Sequence, residues 1–407
     1  MSKFEIREFY GEEALRYKKI CTKLFRCPNP DLGNEELYKK KLIEQDNARD
    51  KDFIRLGAFL DGVLYAAIEI IPFDVYIDGQ ECRMYGIGGV VSDPECPEKG
   101  AVKLIYKRAF ELMREKEVYI SHLYPFEANY YRQYGYEVSC EYAVWKIPLT
   151  AIIPYKTGCC RAFDNSEAMK KDIISIYNKF ASEHNMAIKR TDKQWENFFA
   201  ENNAYTSGTF SYIHYTNGEA DAYMSYKTAE KADRPMDLEA DRFWFTSYDG
   251  LRGLLSYFLL QKSYAENVII KLPSDISLSA IIDPCGGWGK KNAFKTVFDN
   301  GTSKVIDVQE FLKQVKYIGE GSASIKITDE YCPWNNACFK VEFGDKIIVS
   351  RGETPDIEMD IKAFTSAVLG RYSFEECKIF PDVKVYGNEE NLKKIFYKKN
   401  CWIEEHF

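Results

Sequence analysis

One segment, residues 86–136, constrains the fold of this chain more than any other part of the sequence. It contains an apolar strand, a glycine-containing turn, an amphipathic helix, a second strand and a short helix dense in tyrosine. In the first helix, Val102, Ile105 and Ala109 recur at steps of three and four residues, the spacing of one helix face. The free N–H groups of a helix start can hold a phosphate, and a nearby tyrosine can deliver a proton. The order therefore predicts a site where this helix begins.

The stretch before this segment predicts an antiparallel sheet. Three strand-like runs are separated by Asp61-Gly62 and Asp78-Gly79, which signal tight hairpins because glycine accepts the positive φ that such turns need. The runs cover residues 53–60, 63–77 and 81–92. This meander feeds the amphipathic helix, so the first unit is expected to be α+β and to close near Pro148.

A similar order, meander then helix, returns more faintly after about residue 150. Its strands turn at Asn217-Gly218, and a helix is expected over residues 250–261. The repeat predicts a divergent second copy of the first fold, whose helix start offers glycines but no extended anion-binding loop. Helix and strand patterns continue to the end of the chain, which predicts an α+β (mixed α/β) protein. The expected domain limits are 1–149, 150–284 and 285–407.

A Gly- and Lys-rich stretch, DPCGGWGKKNAFKTVFDNG at residues 283–301, separates the second and third units. It lacks the spacing G-x-x-x-x-G-K-[ST] of a phosphate-binding loop. A linker or an edge loop is therefore expected here, in preference to a nucleotide site.

Composition excludes several classes of protein. The net charge of −7 offers no basic surface for nucleic acid. No apolar run approaches the ~18 residues of a membrane span, and the start of the chain lacks the apolar core of a signal peptide. The 12 cysteines occupy irregular positions without a C-x-x-C pair, which predicts reduced thiols and no metal site. We expect a cytoplasmic protein.

The motifs GIGGVVS…KGA and LYPFEANYYRQYGYE resemble the GNAT superfamily of acyl-coenzyme A-dependent N-acetyltransferases, and more closely the family of enhanced intracellular survival proteins. The segments VIDVQEFL, TDEYCPWNN and PDIEMDIKAFTSAVLG, with the aromatic carboxyl terminus, resemble the sterol-carrier-protein-like third domain of that family. Together these segments span nearly the whole chain. The resemblance implies two tandem GNAT-like domains followed by a sterol-carrier-protein-like α/β domain.

The resemblance also implies a function. The first domain alone would bind acetyl-CoA as co-substrate, and the acceptor would be a primary amine of a cationic small molecule or of a lysine side chain. Tyr131 would act as general acid and the terminal carboxylate of Phe407 as base. A homo-oligomer, hexameric in the family, would be the assembled form. The matching coenzyme contacts are Val90, Val91 and Ser92 on the strand, and Lys99, Gly100 and Ala101 at the helix start.

The chemistry of these residues is compatible with such roles, although purely structural roles for them stay open. A tyrosine with a pKa of ~10 is protonated at neutral pH and can protonate a thiolate whose pKa is ~8.5. Tyr131 is turned about 100° from Tyr130 on a helix, but it could simply pack in the core. Without the resemblance, the residues around Phe407 favour a frayed, solvated chain end. His122 is a second candidate base, although a histidine within a strand is more often packed.

The turn SDPECPEKG departs from the family pattern. Asp93, Glu95 and Glu98 place negative charge near a diphosphate, Pro97 has no N–H to offer, and Val102 adds bulk. Coenzyme binding is therefore expected to be weak, altered or lost. The alternative function is a catalytically impaired relative that acts as a ligand-binding or interaction protein. Transfer from aminoacyl-tRNA, which other tandem GNAT proteins carry out, is disfavoured by the acidic charge.

Overall fold

The computed structural model describes residues 4–229, 236–285 and 291–407. The helices are α1 (Ala14–Phe25), α2 (Glu35–Asn47), α3 (Ala101–Glu115), α4 (Ala128–Arg132), α5 (Glu167–Ser182), α6 (Asp192–Glu201), α7 (Tyr248–Tyr257), α8 (Val308–Leu312), α9 (Ile361–Val368), α10 (Phe374–Cys377) and α11 (Glu389–Ile395). The strands are β1 (Glu5–Glu8), β2 (Ile54–Leu60), β3 (Val63–Ile77), β4 (Gln80–Ser92), β5 (Ile120–Leu123), β6 (Glu137–Val138), β7 (Glu141–Pro148), β8 (Cys159–Ala162), β9 (Ile188–Lys189), β10 (Phe210–Thr216), β11 (Glu219–Thr228), β12 (Met236–Phe245), β13 (Ala265–Pro273), β14 (Phe294–Asp299), β15 (Thr302–Val305), β16 (Gly321–Thr328), β17 (Ala337–Phe343), β18 (Ile348–Arg351), β19 (Ile357–Asp360) and β20 (Lys384–Val385). This composition confirms the expected mixed α/β fold.

The first sheet has the order β1-β2-β3-β4-β5-β15-β6, and β9 pairs with β3. Strands β1 to β4 form the predicted antiparallel meander. Asp61, Gly62, Asp78 and Gly79 all have positive φ, between 51° and 77°, as the sequence predicts for these hairpins. Strands β4 and β5 run parallel, because α3 crosses over between them and returns the chain to the same edge.

Helix α3 joins the first core through its predicted apolar face. Val102, Ile105, Ala109 and Met113 are buried with side chains of β2, β3 and β4. Burying an isoleucine such as Ile105 contributes about 1.5–3 kcal/mol relative to exposure, so this face holds the helix against the sheet. The start of α3 is thereby fixed at the end of β4.

The second sheet, in the order β14-β7-β13-β12-β11-β10-β8, repeats the connection of the first. Strands β10, β11 and β12 are antiparallel, α7 follows, and β13 pairs parallel to β12. The hairpin residues Asn217 and Gly218 have positive φ, at 52° and 89°. The expected repeat of meander and helix is therefore present in the structure.

The third sheet, in the order β18-β17-β16-β19-β20, packs with α8, α9 and α11 around a core that also contains Met84 and Ile120 of the first sheet. Four strands lie in sheets other than those that the expected domain limits assign to them, namely β7 and β14 in the second sheet and β9 and β15 in the first. Strand β7 precedes residue 149 but belongs to the second sheet, and β15 follows residue 285 but pairs with β5 and β6. The limits 1–149, 150–284 and 285–407 themselves stay a prediction.

The Gly- and Lys-rich stretch is in part a strand. Residues Phe294–Asp299 form β14, which pairs with β7 at the edge of the second sheet, where the sequence suggested a linker or loop. Residues 286–290 of that stretch lie outside the described residues, so the prediction for them is not addressed. In the described ranges, no helix is both long and apolar enough to cross a membrane.

Candidate active site

Strands β4 and β5 pair over only three residues and then part. Their register runs from Met84 opposite Ile120 to Gly86 opposite His122. Strand β4 continues to Ser92 and pairs there with β3 on its other side. Among the described residues, no strand pairs with the second edge of β4 beyond Gly86. Val90, Val91 and Ser92 lie on this stretch, where alternate residues turn their backbone N–H and C=O groups away from β3, along an edge that can pair with an extended amide ligand.

The N-terminus of α3 is suited to an anion. Gly100 precedes the helix with a φ of 91°, a conformation that favours glycine, and no side chain caps the first turn. No acidic residue lies in that turn. The N–H groups and the positive end of the helix dipole are therefore available to a phosphate.

Two expected obstacles at this helix start are smaller than the sequence indicates. The side chain of Val102 is 9 % exposed and, like that of Ala101, packs into the core, so the expectation that its bulk blocks the backbone is wrong. The Asp93 carboxylate pairs with Arg16, whose Nη2 lies 2.9 Å from Oδ2, and it accepts the N–H of Glu95 at 3.0 Å. Asp93 therefore shapes the turn and has its charge partly neutralised.

The equivalent helix start in the second sheet is closed. The Ser247 hydroxyl accepts the N–H of Gly250 at 2.9 Å and thereby caps α7. The same hydroxyl donates to the buried carboxylate of Asp221, which also accepts the hydroxyl of Thr216 at 2.8 Å. A negatively charged side chain already occupies this end of α7, so an external anion finds no site there.

Tyr131 lies on α4 and is only 4 % exposed. Its ring lies edge-on to those of Tyr130 and Phe126, with centroids 5.1 Å and 5.5 Å away. Burial raises the pKa of the Tyr131 hydroxyl well above 10. The hydroxyl consequently carries its proton at neutral pH, as a general acid must.

Phe407 packs against β4 instead of fraying into solvent. A β-carbon on Gly86 would collide with the Phe407 ring, and the carboxyl carbon lies 3.9 Å from the β-carbon position of Gly88. The ring also contacts Phe73 and Tyr124, with centroids 4.5 Å and 5.3 Å away. The terminal carboxylate therefore lies beside β4 where β4 leaves β5. The glycines of GIGG were the sequence signal for this close approach.

The expectation of a frayed end is wrong because distant partners hold the tail. Ile403 is fully buried, and its carbonyl accepts Nδ2 of Asn300 at 2.7 Å. The Tyr124 hydroxyl donates to the carbonyl oxygen of Glu405. Glu404 and Glu405 form ion pairs with Arg190, at 2.9 Å and 2.6 Å. Their charges are therefore compensated within the protein and are not free to attract an amine.

The two candidate groups lie on opposite faces of the first sheet. Successive residues of a strand point to opposite faces. Tyr85 and Ile87 face α3 and share their core with Tyr131. Gly86 and Gly88 face the other side, where Phe407 lies.

His122 is packed and neutral. It is fully buried, its Nδ1 lies 2.8 Å from the Ser303 hydroxyl, and its Nε2 has no partner among the described residues. Burial lowers the pKa of the imidazole to about 3. Its ring centroid lies 6.2 Å from that of Phe407, but so weak a base supports the packing interpretation. The described ranges also contain no group of three or more His, Cys, Asp or Glu side chains that could hold a metal.

Comparisons of sequence identify the domains. An acetyltransferase (GNAT) domain family matches residues 5–139, and a second acetyltransferase (GNAT) domain family matches residues 186–285. A sterol carrier protein domain family matches residues 308–404. No curated protein matches the chain.

Solved structures share the fold over the full length. A probable N-acyltransferase from Enterococcus faecalis has 20% identity and a TM-score of 0.79, with 99% of each chain covered. A GCN5-related N-acetyltransferase from Anabaena variabilis has 18% identity and a TM-score of 0.80, covering 99% of this chain and 100% of the other. Eis1 from Mycobacterium abscessus has 17% identity and a TM-score of 0.79 at the same coverage. The chain thus contains two acetyltransferase (GNAT) domains followed by a sterol carrier protein domain, and it shares its overall fold with these structures.

Proposed function

We propose that this protein is an acetyl-CoA-dependent N-acetyltransferase that transfers the acetyl group directly to a primary amine of a cationic small molecule or of a lysine side chain. The observation that carries the proposal is the place of the Phe407 carboxylate, beside Gly88 at the opening between β4 and β5. A carboxylate held at a strand opening, opposite a buried tyrosine, suits proton removal from an amine.

The residues at the opening fit acetyl-CoA. Its extended diamide arm matches the free edge of β4 along Val90, Val91 and Ser92. Its diphosphate matches the uncapped start of α3 at Gly100 and Ala101, with Lys99 exposed beside it. A β-carbon position on Gly100 has no atom within 4 Å, so the approach to these amides is open.

Each candidate group would move one proton. Acetyl-CoA, when bound, supplies an acyl thioester to the acceptor. The Phe407 carboxylate takes a proton from the acceptor nitrogen, and the rings of Phe73 and Tyr124 hold the Phe407 side chain in place. The Tyr131 hydroxyl gives its proton to the departing sulfur.

Calorimetric titration with acetyl-CoA tests the proposal, together with an assay of thiol release in the presence of lysine peptides and small cationic amines. Micromolar binding and acceptor-dependent thiol release are expected, and removal of Phe407 should strongly reduce turnover while coenzyme binding is kept. Absence of binding at millimolar acetyl-CoA would instead favour the impaired, ligand-binding relative.

We also propose that the protein acts in the cytoplasm as a homo-oligomer, hexameric as in the resembled family. All 12 cysteines are free, which is typical of a reducing compartment. Light scattering coupled to gel filtration would measure the mass, and a monomer at working concentration would contradict the assembly.

A further inference from the structure

Arg190, which lies between β9 and α6, grips the tail that ends in Phe407. Its Nε lies 2.6 Å from Glu405 Oε1, and its Nη2 lies 2.9 Å from Glu404 Oε2. The Arg190 side chain is 4 % exposed and that of Glu404 is 2 % exposed. Removing one partner of a buried ion pair leaves the other charge uncompensated, so loss of the Arg190 charge would destabilise this position of the tail.

An aromatic box holds the guanidinium in place. Its central carbon lies 4.2 Å from the ring centroid of Tyr177 and between 4.9 Å and 5.0 Å from those of Trp195, Phe198 and Trp244. Aromatic faces attract cations, and the surrounding rings leave the side chain little freedom. The anchor is therefore rigid before it meets the tail.

The anchor acts close to the terminal carboxylate. Glu405 is two residues from Phe407, which an extended chain spans in about 7 Å. Asn300 and Tyr124 donate hydrogen bonds to the carbonyl groups of Ile403 and Glu405, and Tyr177 donates to the Glu405 carboxylate at 3.2 Å. Arg242 forms a longer ion pair with Glu404, at 3.5 Å. Arg190 adds the two shortest charged contacts and is the cation that pairs with both glutamates.

We infer that Arg190 is a positioning residue for the Phe407 carboxylate, so that the second GNAT domain serves the reaction by clamping the tail against the first. The kinetic part of this inference rests on the proposed role of Phe407. The clamp gives the second domain a role in the reaction, because Ser247 and Asp221 already occupy the start of its helix α7 and leave no site there for a coenzyme phosphate.

Release of Phe407 by a carboxypeptidase tests the clamp without reference to activity. Arg190→Met keeps an apolar side chain in the aromatic box but removes the charge, and it should speed the release about tenfold or more, because a buried contact of the tail is lost. Arg190→Lys should restore much of the protection. Arg161→Met is the matched control, because Arg161 is exposed and stacks on Tyr215 at 5.1 Å away from the tail.

Steady-state kinetics test the positioning role. Arg190→Met should lower kcat about tenfold or more with the KM for acetyl-CoA unchanged, since misplacement of a catalytic group acts on turnover. Glu405→Gln keeps the shape of the side chain but removes its charge, and it replaces Arg190→Met if that variant does not fold. It should also speed the release of Phe407 and lower kcat. Unchanged release of Phe407 in Arg190→Met, or in Glu405→Gln, would overturn the inference. If the wild-type protein transfers no acetyl group, the proposed function fails while the protease result still decides whether the clamp exists.

Discussion

The ring of Phe407 lies over Gly86 in space that a β-carbon would fill. The last residue of the chain is thereby seated on β4, some 320 residues upstream in sequence. Gly86→Ala should push the ring and its carboxylate away from the opening and lower kcat by about ten- to a hundredfold. Steady-state turnover measures this effect. Gly33→Ala is the control, because no atom lies within 4 Å of its β-carbon position; equal loss in both variants would contradict the interpretation.

Tyr131→Phe should reduce kcat by about 10²–10⁴-fold, because the variant retains the ring but has no proton to give. Binding of acetyl-CoA and the thermal midpoint should change little. Tyr130→Phe offers a comparison from the same aromatic cluster. Similar rates for Tyr131→Phe and the wild-type protein would exclude Tyr131 as the acid.

The exposed acid Glu95 should weaken coenzyme binding through its charge. Glu95→Lys is expected to lower the Kd for acetyl-CoA about threefold or more at low salt, since it replaces repulsion of the diphosphate by attraction. The gain should shrink as ionic strength rises. Titration calorimetry at two salt concentrations checks both points, with the exposed Glu201→Lys as control for net charge. A Kd that is insensitive to Glu95 would place the diphosphate elsewhere.

Stability should fall as pH drops from about 6.5 towards 3, in part because of His122. Burial lowers the folded-state pKa of His122 to about 3. Between this pKa and about 6.5, the unfolded chain therefore binds a proton at His122 that the folded chain does not bind. Each pH unit within the window costs at most about 1.4 kcal/mol from this group. Chemical denaturation of His122→Gln between pH 4 and 7 should give a shallower slope than wild type. Identical slopes would show that His122 is solvated or already charged.

Much of the fold could be predicted because its signals are local. The Asp61-Gly62 turn and the three- and four-residue spacing of α3 act over a few residues, and both are present as expected. The position of Phe407 could not be predicted from the residues near it in sequence. Its apolar contacts come from Gly86 and Phe73, and its charged anchor from Arg190, which lie hundreds of residues away and share no motif with it.

The surroundings of the turn before α3 could not be predicted for a related reason. Residue types alone indicate that Val102 obstructs a ligand and that Asp93 repels it. The helix phase instead turns Val102 into the core, and Arg16 from α1 pairs with Asp93. Which way a side chain points and what neutralises its charge are tertiary properties, so a comparison of motifs cannot supply them.

The strands that cross between sheets bear on how this protein can be divided. A fragment ending at residue 149 would carry β7 without the second sheet that it completes, and it would leave β5 without β15 beside it. Both consequences expose bare backbone edges that invite aggregation. The three domains are thus interlocked by their hydrogen-bonded sheets as well as by the tail, and a cut at either expected domain limit would separate paired strands.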